Sequence, residues 1–167
     1  MVSVTAMCAR PRRRLEWPCS VTDGSPSESS AGGPVAREVL LNELSKDFPA
    51  AIVLVQHVNQ VFAAGIAQWL SSSSGLLVRL ACEGEPPQSG GVLLAGTNHH
   101  IRLLKNGTLA YTAEPVNEIH RPSIDVFFES VASYWSNDAV GVLLTGMGRD
   151  GAQGLKLMRQ RGFLTIA

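Results

Sequence analysis

Short apolar runs alternate with stretches of helical period along most of this chain. Val35, Val39, Leu40 and Leu44 fall on one helical face, and Gly32-Gly33-Pro34 opens that helix. Proline suits a first helical turn, where its missing N–H costs nothing. Residues 50–55 are a continuous apolar run of strand length, the pattern of a strand buried on both faces. Asn59 suits the cap of a second helix, whose Phe62, Ile66 and Leu70 recur at i, i+4 and i+8 before Gly75 ends it. Residues 76–80 and 92–95 read as short strands. Residues 101–104 and 109–111 flank Asn106-Gly107, a hairpin signal. Arg121-Pro122-Ser123 leads into a helix carrying Val126, Phe127, Val131 and Ala132. Residues 140–144 are a further buried strand, 145–151 a Gly-rich turn, 152–161 a helix with Leu155 and Met158 on one face, and 163–166 a final strand.

Repeated strand–helix alternation predicts a doubly wound α/β fold. Its sheet is mostly parallel, with helices on both faces and one inserted antiparallel hairpin. Residues 1–29 stand apart. They include Asp23-Gly24-Ser25-Pro26 and Ser27-Glu28-Ser29, and their composition reads as loop or tail. The expected organisation is therefore an atypical, disordered segment over 1–29 and a folded domain over 30–167.

Composition narrows the class. The chain has 167 residues, 45% of them hydrophobic and 17% charged, which suits one globular domain and excludes wholesale disorder. No apolar run approaches the roughly 18–20 residues of a membrane helix. Lys+Arg and Asp+Glu both number 14, a formal net charge of +0, which argues against a nucleic-acid binder. Cys8, Cys19 and Cys82 form no C-x-x-C pair and predict a reducing, cytoplasmic setting. Arg10, Arg12, Arg13 and Arg14 are not followed by an apolar signal-peptide core, so secretion is not expected.

In doubly wound sheets, ligands meet the protein beyond the carboxyl ends of the strands. Three polar positions lie at such ends or at helix starts. Ser30 precedes Ala31-Gly32-Gly33-Pro34, where free backbone N–H groups could stabilise an oxyanion; it equally fits a helix cap. His57 follows the 50–55 strand, where it suits a general base or a plain turn histidine. Asp150, in Thr145-Gly146-Met147-Gly148-Arg149-Asp150-Gly151, could orient an imidazole or cap the helix from Ala152. Together they suggest ester or amide hydrolysis, without the G-x-S-x-G elbow of the usual α/β-hydrolases. Adjacent His99 and His100, if on a strand, point to opposite faces, which argues against joint metal ligation. The spacing Gly146-x-Gly148-x-x-Gly151 permits a dinucleotide-binding reading, with no acidic residue about 20 positions on to support it.

Several stretches resemble the catalytic domain of the CheB-type protein-glutamate methylesterases of bacterial chemotaxis. They are Ser29-Ser30-Ala31-Gly32-Gly33-Pro34, Asp47-Phe48-Pro49-Ala50, Val55-Gln56-His57, Arg121-Pro122-Ser123-Ile124-Asp125 and the run from Gly141 to Gly151. Gly96-Thr97-Asn98-His99-His100 and Asn117-Glu118-Ile119-His120 look most similar to the branch that serves a surface-sensing, chemotaxis-like system. The resemblance implies Ser30 as nucleophile, His57 as general base and acid, and Asp150 as orienting carboxylate. It places Met147 at the oxyanion site and Arg121 either in the substrate cleft or as a structural loop anchor, while His100 reads as a substrate-cleft or structural residue. It implies a glutamate methyl ester on the cytoplasmic helices of a methyl-accepting receptor as substrate, release of methanol, and glutamine deamidation as a related activity. Neither metal nor organic cofactor is implied, and a monomer without membrane insertion or nucleic-acid partner is expected.

Two departures from the family pattern qualify this reading. Ser25-Pro26-Ser27-Glu28 stands where the family carries a short apolar strand such as Val-Ala-Ile-Gly. The bases TCG-CCA-TCG-GAN encode Ser-Pro-Ser-Glu; read one base earlier they give an apolar residue and then Ala-Ile-Gly. The first strand is thus expected to be written in the neighbouring frame, which the gene sequence would test. The second departure is that the resemblance stops within a strand at Ala167 and includes no receiver domain. The catalytic domain is thus expected to be C-terminally truncated and weak or silent in catalysis. The competing reading is an inactive fragment that only docks on receptors.

Overall fold

The computed structural model describes residues 2–7, 40–144 and 148–167. Six strands form one sheet: β1 (Val2–Met7), β2 (Ala51–Gln56), β3 (Val78–Leu80), β4 (Val92–Leu94), β7 (Ala139–Leu144) and β8 (Leu164–Ile166), in the order β3-β4-β2-β1-β7-β8. A separate hairpin joins β5 (His100–Leu103) to β6 (Leu109–Thr112). The helices are α1 (Gln60–Ser74), α2 (Ile124–Tyr134) and α3 (Ala152–Gln160), and residues 40–42 are also helical.

The α/β reading holds, with β2, β3 and β4 mutually parallel and β7 parallel to β8. The alternation of buried residues explains the two layers. Ile52 and Leu54 of β2 join Val140 and Val142 of β7 in the core beneath α1. Val53 and Val55 point the other way, into a core with Phe127, Phe128 and Val131 of α2 and Leu155 and Met158 of α3. A strand buried on both faces must be apolar along its buried length, and β2 is from Ala51 to Val55, with polar Gln56 at its less buried end.

The first correction lies at the N-terminus. The sequence reading has loop or tail there, yet Val2–Met7 is a strand in the middle of the sheet, antiparallel to β2 and to β7. Val2, Val4 and Ala6 alternate with Ser3 and Thr5, a period-two pattern in residues that favour extended backbone. Residues 25–28, where the resemblance asks for a strand, lie outside the described residues.

The turn chemistry follows expectation. Asn59 caps α1 by accepting from Val61 N–H, and Gly75 ends that helix at φ 68°, a conformation that favours glycine. Gly107, at φ 83°, turns the β5–β6 hairpin. Among the described residues, no helix is long and apolar enough to cross a membrane.

Candidate active site

His57 and Asp150 are 93 positions apart in sequence, and the fold brings them into direct contact. β2 delivers His57 just past its carboxyl end. Asp150 follows β7 in the same way, just before Gly151, the N-terminal cap of α3. Because β2 and β7 run in the same direction, both residues reach the same rim of the sheet. His57 Nε2 donates to Asp150 Oδ2 at 2.6 Å.

Asp150 is almost wholly enclosed, with 3% of its side chain exposed. Its Oδ1 accepts from the Ser123 hydroxyl at 2.8 Å and from Asp125 N–H at 2.9 Å. Its Oδ2 accepts from Ile124 N–H at 2.8 Å as well as from His57. Burial opposes the charged form, but the His57 bond, the two helix amides and the Ser123 hydroxyl outweigh it and hold the pKa at about 2, below the ordinary 3.8. The positive end of α2 acts in the same direction. The expectation that Asp150 might cap its own helix is corrected. α3 is capped by Gly151 without a side-chain bond, and Asp150 serves the N-terminus of α2 instead.

An ionised carboxylate only accepts hydrogen bonds, so Nε2 of His57 carries the proton. Nδ1 is then the nitrogen with a free lone pair, available as a base. Ser30 and Met147 lie outside the described residues, so the contacts assigned to them by resemblance are not part of the observed geometry.

Of the cleft and structural readings of His100, its contacts favour the structural one. It is 0% exposed, Nδ1 accepts from Ser123 N–H at 3.0 Å, and Nε2 donates to the Pro115 carbonyl at 3.3 Å. With both nitrogens committed inside the protein, it does not face a cleft. It is a neutral brace that fixes the start of α2, and burial lowers its pKa. Its neighbour His99, in the bend just before β5, is exposed. Arg121 is half-buried and donates to the Val116 carbonyl at 2.8 Å, closing the loop before α2.

Two residues that sequence reasoning did not single out complete the site. Ser123 caps α2 and also bonds Asp150. Its capping role was legible from its place before an apolar helix, but its partner 27 positions away was not. His120 stacks on His57, with ring centroids 4.3 Å apart and planes 19° from parallel. No periodicity marks it; it was visible only inside a stretch of family resemblance.

His57, His120 and Asp150 present possible ligand atoms within 4.8 Å of one another. Imidazole lone pairs lie in the ring planes, and two nearly parallel, stacked rings cannot both aim at one ion without turning. The trio in this arrangement is unsuited to shared ligation.

Comparison with known proteins places the chain in a family. A family model described as CheB methylesterase matches residues 28–167. The chain is 86% identical over 139 residues to the protein-glutamate methylesterase/protein-glutamine glutaminase 1 of Pseudomonas fluorescens Pf-5, covering 83% of this chain and 41% of that one. A Pseudomonas aeruginosa relative with the same activity in its name, numbered 3, is 71% identical over 83% of this chain and 42% of its own. The chain thus spans about two fifths of the length of these curated relatives. The crystal structure of the Thermotoga maritima CheB methylesterase catalytic domain superposes with a TM-score of 0.71 at 35% identity, covering 81% of this chain and 74% of that one.

Proposed function

This chain belongs to the CheB methylesterase family, and from that premise we propose that it is a serine hydrolase. It removes methyl groups from glutamate esters on the cytoplasmic helices of methyl-accepting chemotaxis-type receptors. The observation that carries the reading is the enclosed His57–Asp150 pair at the sheet rim, which engages His57 through Nε2 and leaves Nδ1 as its basic nitrogen.

Ser30 is the nucleophile. As its oxygen attacks the ester carbonyl, His57 Nδ1 takes the hydroxyl proton, and the imidazolium is held by the Asp150 carboxylate. The tetrahedral oxyanion is met by backbone N–H groups, that of Met147 among them. His57 returns the proton to the departing methoxide, so methanol leaves and an acyl-serine remains. Water, deprotonated by His57, then releases the glutamate side chain and restores Ser30. Glutamine deamidation follows the same course with ammonia as leaving group, and both activities appear in the names of the relatives. Every step uses side chains and backbone alone.

The test is methanol release from methylated receptor membranes, run beside Ser30→Ala. The wild-type chain is expected to release methanol and the variant to lose at least about 1,000-fold in rate. Receptor binding with no methanol from the wild type would favour a docking fragment instead.

A further inference from the structure

We infer that His120 is a positioning residue that fixes the plane of the His57 imidazole. This inference rests on the hydrolase reading for its kinetic consequence but not for its structural one. His57 is tied to Asp150 through Nε2. One hydrogen bond along that line sets where the ring sits, but lets it rotate about the Nε2···Oδ2 axis. Rotation would swing Nδ1, the basic nitrogen, away from a fixed target. The His120 ring lies against one face of His57 at 4.3 Å and removes that freedom.

The loop that presents His120 is itself tied down. Arg121 donates to the Val116 carbonyl, and Glu118 N–H donates to the Pro115 carbonyl at 3.2 Å. His100 bonds the same Pro115 carbonyl from the core side. The brace behind Asp150 and the support for His120 therefore share one anchor.

The stack also has a favourable charge arrangement. Glu118 Oε1 stands 3.7 Å from His120 Nδ1, and Asp150 sits at the Nε2 of His57. When His57 accepts a proton, its positive charge lies over the face of a neighbouring aromatic ring, with a carboxylate at each end of the pair. A cation over an aromatic face is attracted to it. His120 thus acts on the base through ring contact, without touching the reacting bond.

The test compares His120→Ala with His120→Phe in the full chain. Phenylalanine keeps a flat ring and gives up both nitrogens. His120→Ala is expected to lower kcat about tenfold, since loss of alignment is felt directly in rate. KM and the unfolding midpoint should stay near wild type. His120→Phe should recover most of the lost kcat. Equal kcat in His120→Ala and wild type would overturn the proposal, as would a Phe variant no better than Ala. A second readout does not depend on turnover. The carbon-bound His57 ring protons should shift in NMR spectra of His120→Ala, because the ring current over them is lost, and His120→Phe should keep a ring-current shift. An unmoved His57 signal in His120→Ala overturns the stack itself. A chain that releases no methanol defeats the hydrolase reading, and the NMR result then decides the stack alone.

Discussion

Asp150 accepts four hydrogen bonds while nearly sealed from water. Asp150→Asn would set an amide NH2 against the backbone donors of α2. Donor facing donor in a buried site costs on the order of 2–3 kcal/mol. We therefore expect Asp150→Asn to lower the urea midpoint as well as abolish turnover, whereas Ser30→Ala should abolish turnover alone. The same carboxylate gives the fold an acid limit. Its folded pKa of about 2 lies below the ordinary 3.8, so the native state favours the ionised form. That contributes about 2 kcal/mol above pH 4, lost as pH falls through about 2. His100 acts with the same sign at higher pH. Burial lowers its pKa from 6.5, so the unfolded chain takes up its proton first, and stability declines as pH falls below that value. Urea titrations from pH 7 to 3 should show two stages of loss. His100→Asn, which keeps an acceptor for Ser123 N–H, should flatten the upper one.

At the level of elements, the site depends on how closely α2 and α3 approach. Gly154 of α3 has no room for a side chain: a Cβ there would lie 2.6 Å from Phe128 Cβ and 2.9 Å from the Asp125 carbonyl. Asp125 in turn accepts from Gly154 N–H at 2.6 Å, locking the two helix starts together beside Asp150. Gly154→Ala should destabilise by about 1–3 kcal/mol, read as a lower thermal midpoint, by forcing the helices apart. Much of this layer was legible in the sequence. The caps of α1, the Asn106-Gly107 hairpin, Ser123 before α2 and the strand at residues 140–144 each follow from period or turn chemistry within a few neighbouring residues. The expected α1 stripe of Phe62, Ile66 and Leu70 is corrected: Phe62 is 64% exposed, and the small residues Ala63 and Ala67 join Leu70 on the buried face. What stayed hidden was pairing across distance. Asp150 sits next to α3 in sequence and serves α2 in space. His100 is walled in by a loop 15 residues on and a helix start 23 residues on. His120 reaches His57 across 63 positions, and no local pattern encodes that contact.

For the whole molecule, the governing feature is β1. Among the described residues it is the one strand of the sheet that runs against both neighbours, and it comes from residues ahead of the 28–167 family match. A strand flanked on both sides has its N–H groups committed to one ladder or the other, and proline cannot donate. Val4→Pro should therefore cost at least about 2 kcal/mol and blunt the cooperativity of unfolding, seen as a shallower urea transition.

The register of β1 also sets the order of assembly on the ribosome. Val2 pairs with Gln56 on one side and with Leu144 on the other. The first ladder can close once Gln56 has emerged. The second must wait for Leu144. Throughout that interval the far edge of β1 stands open, and an open edge is a template for pairing with other chains. The nascent protein therefore passes through a long aggregation-prone window that ends only when β7 arrives.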